Sequence, residues 1–341
     1  MAVRTLSVNG FRVTVQVPDR VAGIARTARR LARSARDRVR PGAGPESGVD
    51  DEAGVPQFLP PPPVEVVRRD PAQAVDFVRQ RQEVRAGTAP ARSSGAPDQG
   101  PDEVAELVAG QPWYHTIELP FGITTPGAYD HRPLLDRYGL PESLAGKRVL
   151  DVGTADGFWA FELERRGADV TSIDIEDISQ LDFPAALRRE TTEGERADPL
   201  GEGFALAHRL RKSHVRRIPG TVYDLDPDRM GKFDLVHSGD LLVHLRDPPR
   251  ALEQMRAVTA GEALFAEVFD PDLNSARTGE PGLVRYLGGW ELSAWWLPGL
   301  DALVQMVIDA GFSDVEVLTT YNLPYRNARS GPWRAVIRAR P

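Results

Sequence analysis

The stretch "VLDVGTADGFWAF", Val149 to Phe161, constrains the fold of this chain more than any other. An apolar run closing on Asp151-Val152 predicts a buried strand. Gly153 and Gly157 stand four apart, and the aromatics that follow run into "ELERRGA", a helix halted at Gly167. Strand, glycine turn and helix in that order open a βαβ unit, and such units build parallel sheets with helices crossing back over them. The alternation continues with strand-like "ADVTSIDI" (Ala168 to Ile175), "KFDLVHSG" (Lys232 to Gly239) and "EALFAEVF" (Glu262 to Phe269). "DPPRALEQMRAV" predicts a helix with Asp247 as N-cap and Pro248 at its first position. "LPGLDALVQMVIDAGF" places Leu300, Leu303, Val304, Val307 and Ile308 on one face and stops at Gly311, and strands near "VEVLTTY" and "WRAVIRA" follow. The expected fold class is α/β, a Rossmann-like doubly wound sheet.

Ahead of this region the chain changes character. "VRTLSVNGFRVTVQV" (Val3 to Val17) carries two alternating runs joined by Asn9-Gly10, a hairpin signal. An Ala- and Arg-rich helical stretch with a thin apolar stripe (Val21, Ile24, Leu31) comes next. Residues 1–40 hold 10 Arg against 2 Asp, or +8, so the remainder carries −7 − 8 = −15. Residues 41–101 turn to Pro, Gly and acid, with "PPPP" at Pro60 to Pro63 and a short predicted helix over Pro71 to Arg85. The expected division is a basic hairpin and helix over 1–40, a linker over 41–101 and the α/β domain over 102–341.

The acidic body argues against wholesale nucleic-acid binding, which depends on Lys and Arg neutralising phosphates. The chain has no cysteine, which excludes disulfides, thiolate zinc sites and a thiol nucleophile. Apolar runs are far too short to span a membrane and no basic-then-apolar leader opens the sequence, so a cytoplasmic address is expected.

In a doubly wound sheet ligands bind beyond the carboxyl ends of the strands. A dinucleotide loop would need glycines at 153, 155 and 158, where the chain has Gly153, Ala155 and Phe158. Asp151 and Asp156 would repel a pyrophosphate, and no Walker Lys-Ser/Thr follows. Carboxylates beside bare backbone suit a cationic ligand without phosphates, and S-adenosyl-L-methionine (SAM) is such a ligand. Asp174, 21 residues after Gly153, ends the next strand where a carboxylate can accept both ribose hydroxyls. Asp224 in "GTVYDL" is placed for an adenine amino group with Tyr223 beside the ring, and Ser238 in "HSGD" lies near the methionine end.

Residues from about 113 to 318 resemble class I SAM-dependent methyltransferases. "PWYHTIELPFGITTPGAYDHRPLLDRYGLPESLAGKRVLDVG" (Pro112 to Gly153) resembles more narrowly the branch around the bacterial wobble-uridine tRNA methyltransferase-like enzymes. The resemblance implies a seven-stranded sheet with its last strand antiparallel, and cofactor contacts at Gly153, Thr154, Gly157, Asp174, Ile175, Tyr223, Asp224 and Ser238. Ala155 stands where the middle glycine is common, a change that Cβ size tolerates. Val243 precedes His244 where the carboxymethyl-transferring enzymes carry a tyrosine, so ordinary methyl transfer is expected.

Methyl transfer is an in-line displacement at the sulfonium carbon, and a hydroxyl acceptor needs a base for its proton. His244, just past the fourth strand, is the first candidate and His115, in "WYHTIEL", the second; His237 reads as a packed strand residue. Asp240, Glu267 and Asp270 at strand ends are a weaker candidate set for magnesium, and no metal is assigned. Trp290, Trp295 and Trp296 read as core or as the wall of an acceptor pocket. The leading expectation is a methyltransferase acting on a hydroxyl or amine of a small molecule such as a sugar or secondary metabolite. A tRNA-modifying enzyme is the less favoured alternative, and a non-catalytic SAM-binding regulator or scaffold the third.

Overall fold

The computed structural model describes residues 2–8, 11–17, 100–190, 199–274, 280–289, 294–326 and 328–341. The expected Asn9-Gly10 turn, the arginine-rich helix, most of the linker region with its short helix, and Trp290 lie outside these residues. Strands β1 (Ala2–Val8) and β2 (Phe11–Val17) pair antiparallel with Val8 opposite Phe11, and they belong to a unit of their own, residues 1–66.

In the second unit, residues 67–341, helix α1 (Pro101–Ala109) opens the described part, with proline at its start and Asp102 and Glu103 in the first turn. Then come β3 (Arg148–Val152), α2 (Phe158–Arg165), β4 (Asp169–Asp174), α3 (Glu202–Arg211), β5 (Arg216–Pro219), β6 (Phe233–Gly239), α4 (Pro248–Val258) and β7 (Thr259–Phe269). A short hairpin, β8 (Val284–Tyr286) and β9 (Trp296–Pro298), precedes α5 (Leu300–Asp309), β10 (Asp314–Asn322) and β11 (Trp333–Arg340). The large sheet has seven strands in the order β10-β11-β7-β6-β3-β4-β5. Strands β3 to β7 run parallel, and β11 is antiparallel to both its neighbours, as the resemblance implied.

The unread strand is β5, "RRIP". Its composition is polar, it ends on proline and it lies at the sheet edge, so it carries no apolar run to announce it. Asp247 caps α4 as expected, accepting from Arg250 N at 3.2 Å. In α5, Ile308, expected on the apolar face, is 43% exposed, and Ala302, outside the expected stripe, is buried.

Period-two alternation sorts the strands between two cores. Val149, Leu235, Leu264 and Val336 face one, where α1, α2 and α3 pack. Their neighbours Leu150, Val236, Phe265 and Ile337 face the other, under α4 and α5. The same parity puts Asp151, His237, Ala266 and Arg334 on the first face, and Ser238 and Glu267 on the second. This division positions the site.

Candidate active site

The loop after β3 begins with Gly153 at φ +77°, its N–H donating to Ile173 O at 2.9 Å. Gly157 (φ +94°) caps α2, and a Cβ there would lie 2.6 Å from Phe161 and 2.8 Å from Phe204. Helix packing, not ligand approach, keeps this position bare. Ala155 sits at φ +49°, so its departure from glycine is conformational as well as steric. Its N–H donates to Asp174 Oδ2 at 2.6 Å, and Ile175 N donates to Asp174 Oδ1 at 2.8 Å. Each carboxylate oxygen keeps a lone pair after that bond. Burial pushes the Asp174 carboxyl up to about 6 despite these donors.

Asp151 at the end of β3 and Asp156 in the loop each bond a histidine through one carboxylate oxygen. Asp156 Oδ2 accepts from the backbone N–H of Tyr114 at 2.8 Å and of His115 at 2.9 Å, and Oδ1 bonds His115 Nδ1. One carboxylate therefore fastens the covering segment 113–131 to the loop. Arg326 secures the same segment from the other side, donating to Gly127 O at 3.0 Å and Thr125 O at 3.1 Å. Asp151 Oδ1 bonds His237 Nδ1 at 2.7 Å, the two being partners in the β3/β6 register, and His237 Nε2 meets Tyr138 Oη at 2.7 Å. His237 is buried as expected, but as the centre of a polar chain.

Above these groups lies a narrow cavity lined by Tyr114, His115, His131, Tyr138, Trp159, Gly239, Asp240, Ala266 and Tyr321. Asp240 closes β6 at φ +53° and holds Arg334 through Nε at 2.7 Å and Nη2 at 2.7 Å, while Tyr114 Oη donates to Asp240 Oδ2 at 2.8 Å. Arg334 also lies over the Tyr129 ring, 4.6 Å from its centroid. Burial holds His131 well below the usual imidazole range, with His115 and Arg334 adding to the shift, so the ring is neutral. Tyr138, His131, Trp159, Tyr321 and Arg334 were not read from sequence. Tyr138, Trp159 and Tyr321 are ordinary core-type residues in their own segments, and no local pattern marks His131 or Arg334 as members of a site.

The remaining expected residues fall elsewhere. His244 ends the turn 242–244 and is not among the residues lining the cavity, whereas His115 is. Ser238, on the opposite face of the sheet, donates to Glu267 Oε1 at 3.2 Å. Tyr223 Oη bonds Asp182 Oδ2 at 3.2 Å, and Asp224 Oδ2 caps its own turn by accepting from Thr221 N at 2.8 Å. Burial, then Asp240, pushes Glu267 up to about 8, and Leu242 N donates to it at 3.0 Å. Asp240 is paired with Arg334 and Asp270 with Arg285, and among the described residues no cluster of three or more is arranged to hold a metal ion. The indole N–H of Trp295 donates to Asp182 O at 2.5 Å and that of Trp296 to Arg246 O at 3.1 Å, away from the cavity.

Among the described residues, two buried atoms beside the glycine loop have no partner: Asp151 Oδ2 and Thr154 Oγ1. An orphaned carboxylate oxygen fits an ammonium group and the hydroxyl fits a polar neighbour. With the open lone pairs of Asp174, this set of acceptors and one hydroxyl fits SAM.

Residues 128–317, more than half of the chain, match the methyltransferase-domain family. The chain belongs to that family. Its sheet order and glycine loop make the domain a class I, SAM-dependent methyltransferase domain. Among curated relatives it is 28% identical over 127 residues to a ubiquinone biosynthesis O-methyltransferase of Acinetobacter baumannii, covering 37% of this chain and 45% of that one. It is 42% identical over 134 residues to the magnesium-protoporphyrin O-methyltransferase of Rhodobacter capsulatus, covering 37% and 47%. The chain thus spans about half the length of these relatives. Among solved structures, the N-terminal domain of EvdMO1 with SAH and D-fucose aligns over 72% of this chain and 99% of that one, at 20% identity and TM-score 0.48. Among the described residues, no helix is long and apolar enough to cross a membrane.

Proposed function

We propose that residues 102–341 transfer the methyl group of SAM to a hydroxyl or amino group of a small molecule, with His115 as the base. The observation that carries this reading is the Asp156–His115 pair in the cavity wall. An ionised carboxylate only accepts, so it fixes the proton on Nδ1 and leaves Nε2 as the lone-pair nitrogen for an acceptor's proton. SAM supplies an electrophilic methyl on a positively charged sulfur. Asp151 Oδ2, Thr154 and Asp174 would bind its ammonium and ribose ends, and Ile175, Tyr223 and Asp224 would flank the adenosine. The covering segment 113–131 limits water at the reacting centre. Two of the relatives above are O-methyltransferases, which supports an oxygen acceptor.

A tRNA acceptor is the second reading, suggested by the resemblance of Pro112 to Gly153 to the wobble-uridine branch and by the arginines of residues 1–40. We favour the metabolite because the rest of the chain carries −15. The experiment is a labelled-methyl screen of the full chain against metabolite and RNA pools. Labelled metabolite is the expected result. Labelled RNA moves the assignment to the second reading, and tight SAM binding with no labelling at all moves it to a non-catalytic SAM-binding protein.

A further inference from the structure

The polar atoms around the cavity are unequal in what they still offer. Tyr138 has its phenolic oxygen 2.7 Å from His237 Nε2, and His237 Nδ1 is 2.7 Å from Asp151 Oδ1. The direction of this chain follows from chemistry. An ionised carboxylate only accepts, so Asp151 selects the tautomer with hydrogen on Nδ1; in that tautomer Nε2 only accepts, and Tyr138 donates to it. The hydroxyl hydrogen of Tyr138 is committed inward, and only lone pairs remain for the cavity. Tyr114 is in the same condition, its hydrogen donated to Asp240 Oδ2 at 2.8 Å. Burial pushes both phenols well above their ordinary range, so neither loses that hydrogen at neutral pH.

The Arg334 cation is already matched by a carboxylate. Arg334 gives Nε and Nη2 to Asp240 and Nη1 to Pro332 O at 3.2 Å. His131 is neutral, and its Nδ1 and the Tyr321 hydroxyl are buried without partners. The wall therefore sets the lone pairs of Tyr114 and Tyr138 beside a carboxylate already matched by its arginine, with the Trp159 indole and two adaptable groups, His131 and Tyr321, completing it.

We propose that Tyr138, oriented by His237 and Asp151, is a specificity-determining residue that admits an acceptor through a hydrogen-bond donor, a hydroxyl or amino group, and rejects acceptor-only carboxylates. This rests on the methyltransferase reading and narrows its substrate class. A guest hydroxyl donates to Tyr138 and accepts from Tyr321. A carboxylate faces the lone pairs of Tyr114 and Tyr138 beside Asp240, and a site built for a donor discriminates strongly against a guest that lacks one.

The test uses the full chain loaded with SAH and two probes, benzyl alcohol and benzoate, read by saturation-transfer NMR titration. The wild type should bind benzyl alcohol at least tenfold more tightly than benzoate. Tyr138→Phe should weaken the alcohol about tenfold while SAH affinity, measured by calorimetry, stays unchanged. His237→Asn, which keeps a donor for Asp151 but lacks Nε2, should free the Tyr138 hydrogen and bring the two probes within about threefold. Equal binding of both probes to the wild type overturns the proposal, as does an unchanged ratio in Tyr138→Phe, a variant that loses only one oxygen. Failure of the wild type to bind SAH sinks the methyltransferase reading instead, and so separates the two failures.

Discussion

The end of β3 and the loop after it supply two carboxylates, and each holds a histidine, yet the two pairs differ in their surroundings. Asp156–His115 joins the loop to a covering segment, and His115 lines the cavity. Asp151–His237 lies within the sheet, with side chains 2% and 0% exposed, and its Nε2 is taken by Tyr138. The first arrangement is the one proposed above as the acceptor's base. The second polarises a phenol and fixes which way its hydrogen points. The same residue pair becomes a reactive group or an orienting group according to the third partner.

The sharpest way to break this comparison is to substitute the two histidines in parallel. His115→Asn, which keeps a donor for Asp156, should lower kcat by roughly 10²–10⁴ on the acceptor returned by the screen, with SAM affinity nearly intact. His237→Asn should act on acceptor KM and selectivity. Equal collapse of kcat in both would make the two pairs a single relay.

Next in size is Asp174→Ala. SAM affinity measured by calorimetry should fall at least tenfold, because two hydroxyls lose a carboxylate worth about 1.5–3 kcal/mol per charge-assisted bond. The wild-type affinity should itself weaken below pH 6, approaching a tenfold loss per pH unit as Asp174 takes its proton. A flat profile between pH 5 and about 8 would remove Asp174 from the cofactor site.

Glu267 sharpens the contrast from the far face of the sheet. Its folded pKa of about 8 stands above the ordinary 4.5, so the folded protein holds the proton more tightly than the unfolded chain. Its contribution is favourable at low pH and is lost as pH rises through about 8. Glu267→Gln should therefore stabilise the protein at pH ~9 by roughly 2–4 kcal/mol in denaturant melts and change little at pH ~5. The smallest effect belongs to Ala155→Gly, which relieves a left-handed alanine and should raise stability by about 0.5–1 kcal/mol at most. Clear destabilisation by that change would show that the alanine methyl packs favourably enough to outweigh its backbone strain.

What the sequence determined by itself was local and periodic. The run Val149 to Phe161 announced strand, turn and helix, Asp247-Pro248 announced a helix start, and alternation in each strand already assigned Asp151 to the same face as Val149. These signals are legible because backbone geometry repeats every two or 3.6 residues and needs no knowledge of the rest of the chain. Which residue would answer Asp151 or Asp156 was decided only by the tertiary structure. His237 is 86 positions from Asp151, and it became a neighbour because β6 lies beside β3 in the sheet. His115 is 41 positions from Asp156 and meets it because the covering segment folds back onto the loop. Tyr138 and Arg334 came to the cavity by the same long-range closure, which carries no mark in their own segments. The sequence placed carboxylates at the carboxyl end of a parallel strand. Strand order and segment packing chose their partners, and with them which lone pairs and which hydrogens face the ligand.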